Sequence, residues 1–348
     1  MRPGSPGPAP TSATAPVIGG RWSVVGGSSV AGTPLELRPL LWARPSHRGS
    51  RGATGSVDQQ LMANSQQPSQ HFFESQRLRL SYWAWGDEDA QPLILVHGGR
   101  DHARSWDGIA EAFAADHYVV APDLRGHGDS DWSPGSEYTT AQYAVDLLTL
   151  VERFDRPVRV VCHSFGGQVT FIAAGAYPGR FASIVAIEGR VPGLFEEPEP
   201  MNPERFRTYV EQRRSLETRQ VRRYPDLASA IQRVREMNPR LSPEQARHIA
   251  VHAVREDGDE LIWKFDNWSR PGVRRDEYTL AEMRGFIQAI ACPMLYVIGG
   301  EAGVMRGMER WVEGLAGVRP VKVEGAGHWV HHDQPERLIA LAREHFGG

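Results

Sequence analysis

The feature that most limits the fold is a series of short, mainly apolar runs separated by helical stretches. The runs are Pro92–Val96, Tyr118–Ala121, Val158–Cys162, Ile184–Ile187, Met294–Ile298 and Val321–Val323. They are too short for buried helices, and most lack the alternation of a half-wet strand, so they read as strands covered on both sides. Leu78 to Trp85 does alternate, as a half-buried strand does. Thr139 with Gln142 forms a capping box for a helix reaching about Phe154. Gln168–Tyr177 reads as a helix closed by Pro178-Gly179, and Asp333 with Glu336 as the cap of a last helix running to about Phe346. Strand and helix in alternation predict an α/β fold, a mostly parallel sheet with helices on both faces.

The alternation stops between about 191 and 289. That stretch is helical in character, rich in arginine and poor in strand signals, and Ser242-Pro243-Glu244-Gln245 opens a helix through Val254. About 100 residues inserted between two sheet strands predict a helical cap, with the core made of residues 66–190 and 290–348. Residues 1–65 are dense in Gly, Pro, Ser, Ala and Thr without periodicity, the composition of a disordered N-terminal extension. Their arginines, serines and scarce acids fit an organelle transit peptide; the other reading is that Met62 begins the working chain.

The 348 residues are 41% hydrophobic and 23% charged, enough for a large core and unlike a disordered or fibrous chain. A formal charge of −3 supplies no basic field for nucleic acid or anionic lipid, and no run of 18 apolar residues is present to span a membrane. Cys162 and Cys292 sit in apolar runs without a Cys-x-x-Cys pair, as in a cytoplasmic protein with reduced thiols. Nothing in the sequence fixes an oligomeric state.

Three segments carry chemistry. In Val160-Val161-Cys162-His163-Ser164-Phe165-Gly166-Gly167 a buried strand runs directly into a helix with Ser164 at the turn. This is the small-x-Ser-x-Gly pattern of a nucleophile elbow, in which small neighbours relieve a strained turn. A helix-capping serine is the bland alternative. Leu95-Val96-His97-Gly98-Gly99-Arg100 ends an earlier strand, and Gly99 can aim its backbone N–H at a developing oxyanion together with the N–H of Phe165. Val323-Glu324-Gly325-Ala326-Gly327-His328-Trp329 follows the last strand, placing His328 on a glycine-flexed loop as a general base.

Together these segments resemble the α/β-hydrolase family over about residues 75–348. Asp123-Leu124-Arg125-Gly126-His127-Gly128-Asp129-Ser130 is similar to a loop of that family. The resemblance implies the α/β-hydrolase fold, a serine–histidine–acid triad under a cap inserted late in the sheet, a small-molecule substrate, and no metal or organic cofactor. The acid departs from the commonest pattern. The usual aspartate position, in Ile298-Gly299-Gly300-Glu301-Ala302-Gly303-Val304, holds Ala302 or Gly303, with Glu301 nearby. The other place is Ala186-Ile187-Glu188-Gly189, 24 residues after Ser164, a spacing similar to that of some haloalkane dehalogenases and zearalenone lactonases. A glutamate ending a buried strand needs a partner, which favours Glu188 over Glu301.

Epoxide hydrolases and haloalkane dehalogenases of this fold use an aspartate nucleophile, so Ser164 directs the reading to acyl transfer on a carboxylic ester or lactone. A carbon–carbon hydrolase of vinylogous diketones and a non-catalytic receptor on the same scaffold are the alternatives. Arg100, Trp263 and Trp329 are the candidate substrate contacts. Trp263, Phe265 and Trp268 line a pocket or belong to core. The arginines from Arg205 to Arg223 form a solvated face or attract a carboxylate. His248 and His252 lack the glutamate of a zinc-protease helix, and His331-His332-Asp333 reads as loop and cap.

Overall fold

The computed structural model describes residues 67–191, 202–269, 278–302, 312 and 314–347. The N-terminal extension, the Met62 start and parts of the 191–289 segment lie outside them. Eight strands form one sheet: β1 (Ser69–Ser75), β2 (Leu78–Trp85), β3 (Gln91–Val96), β4 (His117–Pro122), β5 (Val158–His163), β6 (Phe181–Ile187), β10 (Met294–Gly299) and β11 (Val318–Val323). Their order is β1-β2-β4-β3-β5-β6-β10-β11; β2 is antiparallel to both its neighbours and the other pairings are parallel. The chain runs outward from β3 to β4 and then returns past β3 to β5. The strand order therefore reverses between β3 and β5, where open α/β sheets place ligands at the carboxyl ends of their strands.

The helices that cover the sheet divide by face. On one side α1 (Asp107–Phe113) and α9 (Pro335–His345) bury Ile109, Phe113, Leu338 and Leu341 against Leu95, Val161, Val185 and Val297. On the other, α2 (Thr140–Val151), α3 (Phe165–Ala176) and α7 (Leu280–Ala289) bury Tyr143, Leu147, Phe171 and Met283 against Ile94, Val160, Ile184 and Tyr296. Successive strand residues thus serve opposite cores, which is why these runs are apolar throughout.

Between β6 and β10 the chain forms α4 (Pro203–Glu217), α5 (Leu227–Met237) and α6 (Pro243–Ala253), followed later by α7. It also forms a small antiparallel sheet of β7 (Arg223–Tyr224), β8 (Val254–Asp257) and β9 (Glu260–Trp263) in the order β7-β9-β8. The sequence reading missed this sheet, because strands of two to four residues are too short to establish a period. The capping boxes at Thr139 and Ser242 form as expected. The cap assigned to Asp333 does not. A short helix, α8 (Val330–Asp333), ends there, and α9 starts from Gln334 with Pro335 in its first turn and no side-chain cap. Asp333 instead accepts hydrogen bonds from the Gly327 amide (2.8 Å) and the Asn238 side chain (3.2 Å).

The loop after β4 is braced by a buried ion pair. Arg125, which also donates to the Glu137 carbonyl, meets Asp146 of α2 through two hydrogen bonds of 2.6 and 2.8 Å, with the two side chains 2% and 4% exposed. Removing one partner strands a buried charge, at a cost of about 3–5 kcal/mol, whereas removing both leaves none. Arg125→Met should therefore lower unfolding stability by about 3–5 kcal/mol, and Arg125→Met with Asp146→Leu should recover most of that loss. Urea denaturation of the two variants checks this, and equal destabilisation by both would refute it.

Candidate active site

The strand register brings the functional segments to one edge. Val96 is level with Cys162, His163 with Ile187, and Ile187 with Val297. The residues that follow β3, β5 and β6 leave the sheet side by side. Ser164 stands between β5 and α3 in the left-handed region, with φ 49° and ψ −112°. For a residue with a Cβ this costs about 1–3 kcal/mol, so its surroundings must hold it. The Ser164 amide donates to the Ile187 carbonyl (2.9 Å), and its carbonyl accepts from the Gly167 and Arg190 amides (3.0 and 2.8 Å). A Cβ on Gly166 would lie 2.5 Å from the Val96 and His97 carbonyl oxygens, and one on Gly167 would lie 2.6 Å from the Gly189 Cα. The expected requirement for small residues is thus a matter of backbone touching backbone. Cys162, in the other small position, is fully buried, and desolvation pushes its thiol up to about 12.

Glu188 follows β6, also at φ 49°, with no exposed surface. Its amide donates to the Val297 carbonyl (2.9 Å). Its carboxylate accepts from the Gly299 amide through Oε1 (2.8 Å) and from His328 Nδ1 through Oε2 (3.3 Å). Glu301 is exposed and pairs with Arg240. The fold therefore brings Glu188, and not Glu301, to the histidine. His328 lies beyond β11 with its side chain 22% exposed. Its backbone carbonyl accepts from His163 Nε2 (2.9 Å), so the residue before Ser164 fastens the loop that carries His328. Among the described residues Ser164 and His328 are not hydrogen-bonded to each other.

Gly98 and Gly99 leave β3 beside this turn. A Cβ on Gly98 would lie 3.4 Å from the Ser164 Cβ, and one on Gly99 would lie 3.9 Å from the Phe165 Cβ. The two expected oxyanion donors, Gly99 and Phe165, are thus adjacent. Arg100 follows at φ 64°. Two buried side chains that the sequence reading did not single out hold this segment. Asp123 accepts from the Ala103 and Asp129 amides (2.8 and 3.1 Å). His97 Nδ1–H donates to the Gly98 carbonyl (2.7 Å) while its Nε2 accepts from the Leu124 amide (3.0 Å). Their signal was the polar residue at each strand end, where a buried hydrogen-bonding side chain needs partners.

A cavity of about 410 Å³ opens beside Gly99. Arg100, Trp263 and Trp329, the three expected substrate contacts, all line it, as does Phe265. Trp268 does not; it packs against the main core beneath the Arg213 guanidinium, 4.5 Å from the ring centroid. Val234, Met237, Leu241 and Ile249 supply apolar wall, while Arg219, Arg222 and Arg233 join Arg100 around it. Part of the arginine-rich stretch read as a solvated face thus looks into the cavity.

A serine on a strained strand-to-helix turn, at the point where a mostly parallel sheet reverses its order, is the arrangement of the nucleophile elbow of α/β hydrolases. The profile described as "Alpha/beta hydrolase family" matches residues 93–341, and the chain belongs to that family. Epoxide hydrolase A of Mycobacterium tuberculosis is 27% identical over 328 residues, covering 81% of this chain and 98% of that protein. A probable serine hydrolase of Drosophila melanogaster is 32% identical over 107 residues; the alignment covers 30% of this chain and only 32% of the fly protein. Among solved structures, the thioesterase domain from the curacin biosynthetic pathway superposes with a TM-score of 0.72 at 21% identity, covering 80% of this chain and all of that one. No helix among the described residues is long and apolar enough to cross a membrane.

Burial above all, and then the nearby His127, hold the His97 pKa well below the ordinary value and keep the imidazole neutral, against the opposing pull of its hydrogen bond to the Gly98 carbonyl. The unfolded chain takes up that proton near pH 6.5, and the folded chain takes it up only at much lower pH. Stability from this group is therefore complete above about pH 6.5 and falls as the pH drops below it. Compared with His97→Asn, the wild type should lose up to about 1.4 kcal/mol per pH unit below that point. Denaturant unfolding of both proteins between pH 7 and 5 checks this; a difference that does not change with pH would refute it.

Proposed function

We propose that the protein is a serine hydrolase that cleaves a carboxylic ester or lactone through an acyl-enzyme, with Ser164 as nucleophile, His328 as general base and Glu188 as the acid. The observation that carries the reading is the 3.3 Å contact of Glu188 Oε2 with His328 Nδ1, made beside a serine held in a left-handed turn. A carboxylate on Nδ1–H fixes the imidazole tautomer and leaves Nε2 as the proton acceptor. Contacts between nucleophile and base are commonly loose before substrate binds and close in the complex, which accommodates the absent Ser164–His328 bond.

Ser164 Oγ attacks the acyl carbon as its proton passes to His328 Nε2. The carbonyl oxygen, now negative, accepts from the Gly99 and Phe165 amides, which stabilise the charge as it develops. Collapse breaks the acyl–oxygen bond, and the alcohol leaves with the proton from His328. Water then attacks the acyl-enzyme, gives its proton to His328, and Ser164 departs with that proton as the acid is released. Glu188 stabilises the imidazolium in both halves without taking its proton. The segment between β6 and β10 forms the proposed cap. Its apolar wall suits a hydrophobic acyl or ring portion, and its arginines suit an acidic substituent on the substrate.

The epoxide hydrolase relative invites a rival reading. Enzymes of that kind in this fold resemble one another in using an aspartate nucleophile, and this chain has serine at the elbow. Fluorophosphonate labelling, read by intact mass beside assays of neutral and carboxylate-bearing esters, tests the proposal. One adduct that disappears in Ser164→Ala, together with ester turnover, supports it. An unlabelled serine and no ester turnover would overturn it. Ser164→Ala should reduce kcat by at least about 10⁴-fold.

The acid assignment is tested separately. Glu188→Gln should cost about 10²–10⁴ in kcat, because the imidazole loses both its tautomer and its counter-charge. Glu301→Gln should change kcat less than about twofold, since that side chain engages an exposed arginine. Steady-state kinetics on any accepted ester reads both variants, and the reverse ranking would place the acid elsewhere.

A further inference from the structure

We propose a divalent transition-metal site, best suited to Zn²⁺, formed by Asp101, His331 and His332. One donor atom from each residue lies within 4.8 Å of the other two. His331 is 3% exposed, and neither of its ring nitrogens has a hydrogen-bond partner among the described residues. Asp101 Oδ2 is likewise buried without a partner, while Oδ1 accepts from the His102 amide at 2.8 Å. A buried polar atom without a partner is costly, so an unpartnered carboxylate oxygen beside an imidazole with no partner on either nitrogen calls for one shared by the two side chains. A cation held by the carboxylate and two imidazoles engages Asp101 Oδ2 and one nitrogen of His331 at once.

The donor set fits zinc: nitrogen and oxygen, three ligands, and room for a fourth. Ligands about 2.1 Å from a tetrahedral ion stand about 3.4 Å apart, so small side-chain rotations close the cluster on it. The His331 ring is already oriented. It stacks on Trp106 with centroids 4.5 Å apart and packs 4.6 Å from His163 and 4.1 Å from His332. An entry path exists, because Asp101 and His332 line the cavity beside Gly99 and His331 and His332 line a neighbouring one of about 440 Å³.

A second group of possible ligands, Asp107, His248 and His252, lacks these features. Both Asp107 oxygens are engaged by Arg104 at 2.6–3.0 Å, and His248 lies 3.2 Å from one of them. That cluster is an ion pair already satisfied. The ion at Asp101 is additional to the hydrolytic machinery and takes no step in it. Asp101 lies two residues past Gly99 and His331 three past His328. The ion therefore ties the oxyanion segment to the segment that carries the base.

The test uses the full chain without an affinity tag, stripped with chelator and titrated with ZnCl₂ by calorimetry near neutral pH. X-ray absorption at the zinc edge is recorded on the loaded wild type. We expect one saturable equivalent and a first shell of nitrogen and oxygen at about 2.0–2.1 Å with two imidazoles. Asp101→Asn and His331→Gln should each weaken binding by about tenfold or more, and His248→Ala should leave it unchanged. Circular dichroism establishes which variants fold, and the absorption spectrum of the wild type stands without them. Absence of saturable binding, a shell with sulfur or without imidazole, or binding that survives His331→Gln and fails in His248→Ala would each overturn the proposal.

Discussion

The approach of α3 to the end of β3 is the constraint from which the site follows. At Gly166 and Gly167 the helix passes so close to Val96, His97 and Gly189 that no side chain fits. That closeness forces the chain to turn within a single residue after β5, and the residue that turns is Ser164 at φ 49°. A longer connection would relax the serine and let the helix drift from the sheet, and the Phe165 amide would move with it. The strain of one residue is therefore coupled to the position of the proposed oxyanion donor, and the hydrogen bonds around Ser164 tie it to the end of β6 and the first turn of α3.

Polar side chains buried behind the site do comparable positioning work. His97, Asp123 and His163 each bond backbone atoms of a segment on a different strand end. A backbone group can be satisfied by water, but a buried imidazole or carboxylate is stable only where its partners are fixed. Each such residue thus fixes a loop more firmly than an apolar residue of the same size. Asp123 illustrates the balance. Burial raises its carboxyl to about 6, while the Ala103 and Asp129 amides favour the ionised form and offset part of that rise.

The sheet was legible in the sequence because a strand buried on both faces is apolar throughout, and five of the six runs are of that kind; Val321–Val323 is not, since β11 is an edge strand with Lys322 exposed. The elbow was legible because its spacing is local: a strand, one polar residue and two glycines. The two-residue strand β7 and its partners β8 and β9 were not, since so short an element carries no period. The start of α9 was misread at Asp333 because a capping box is a local pattern, whereas Asp333 is engaged by Gly327 and Asn238 from elsewhere in the chain. His163 escaped notice because its partner, the His328 carbonyl, lies 165 residues away.

The choice of Glu188 as the proposed acid rests largely on burial. Glu301 has the easier position, in a loop and beside an arginine, and for that reason it is satisfied without the histidine. Glu188 ends a strand enclosed by two others, in a backbone conformation that disfavours any residue with a Cβ, with no solvent to share its charge. The Gly299 amide accounts for one oxygen, and the other reaches His328. Two penalties on one residue, strain and desolvation, are hard to sustain for stability, since an apolar residue in a relaxed turn would avoid both. They are understandable where the carboxylate has a fixed hydrogen-bonding partner, as Glu188 has in His328.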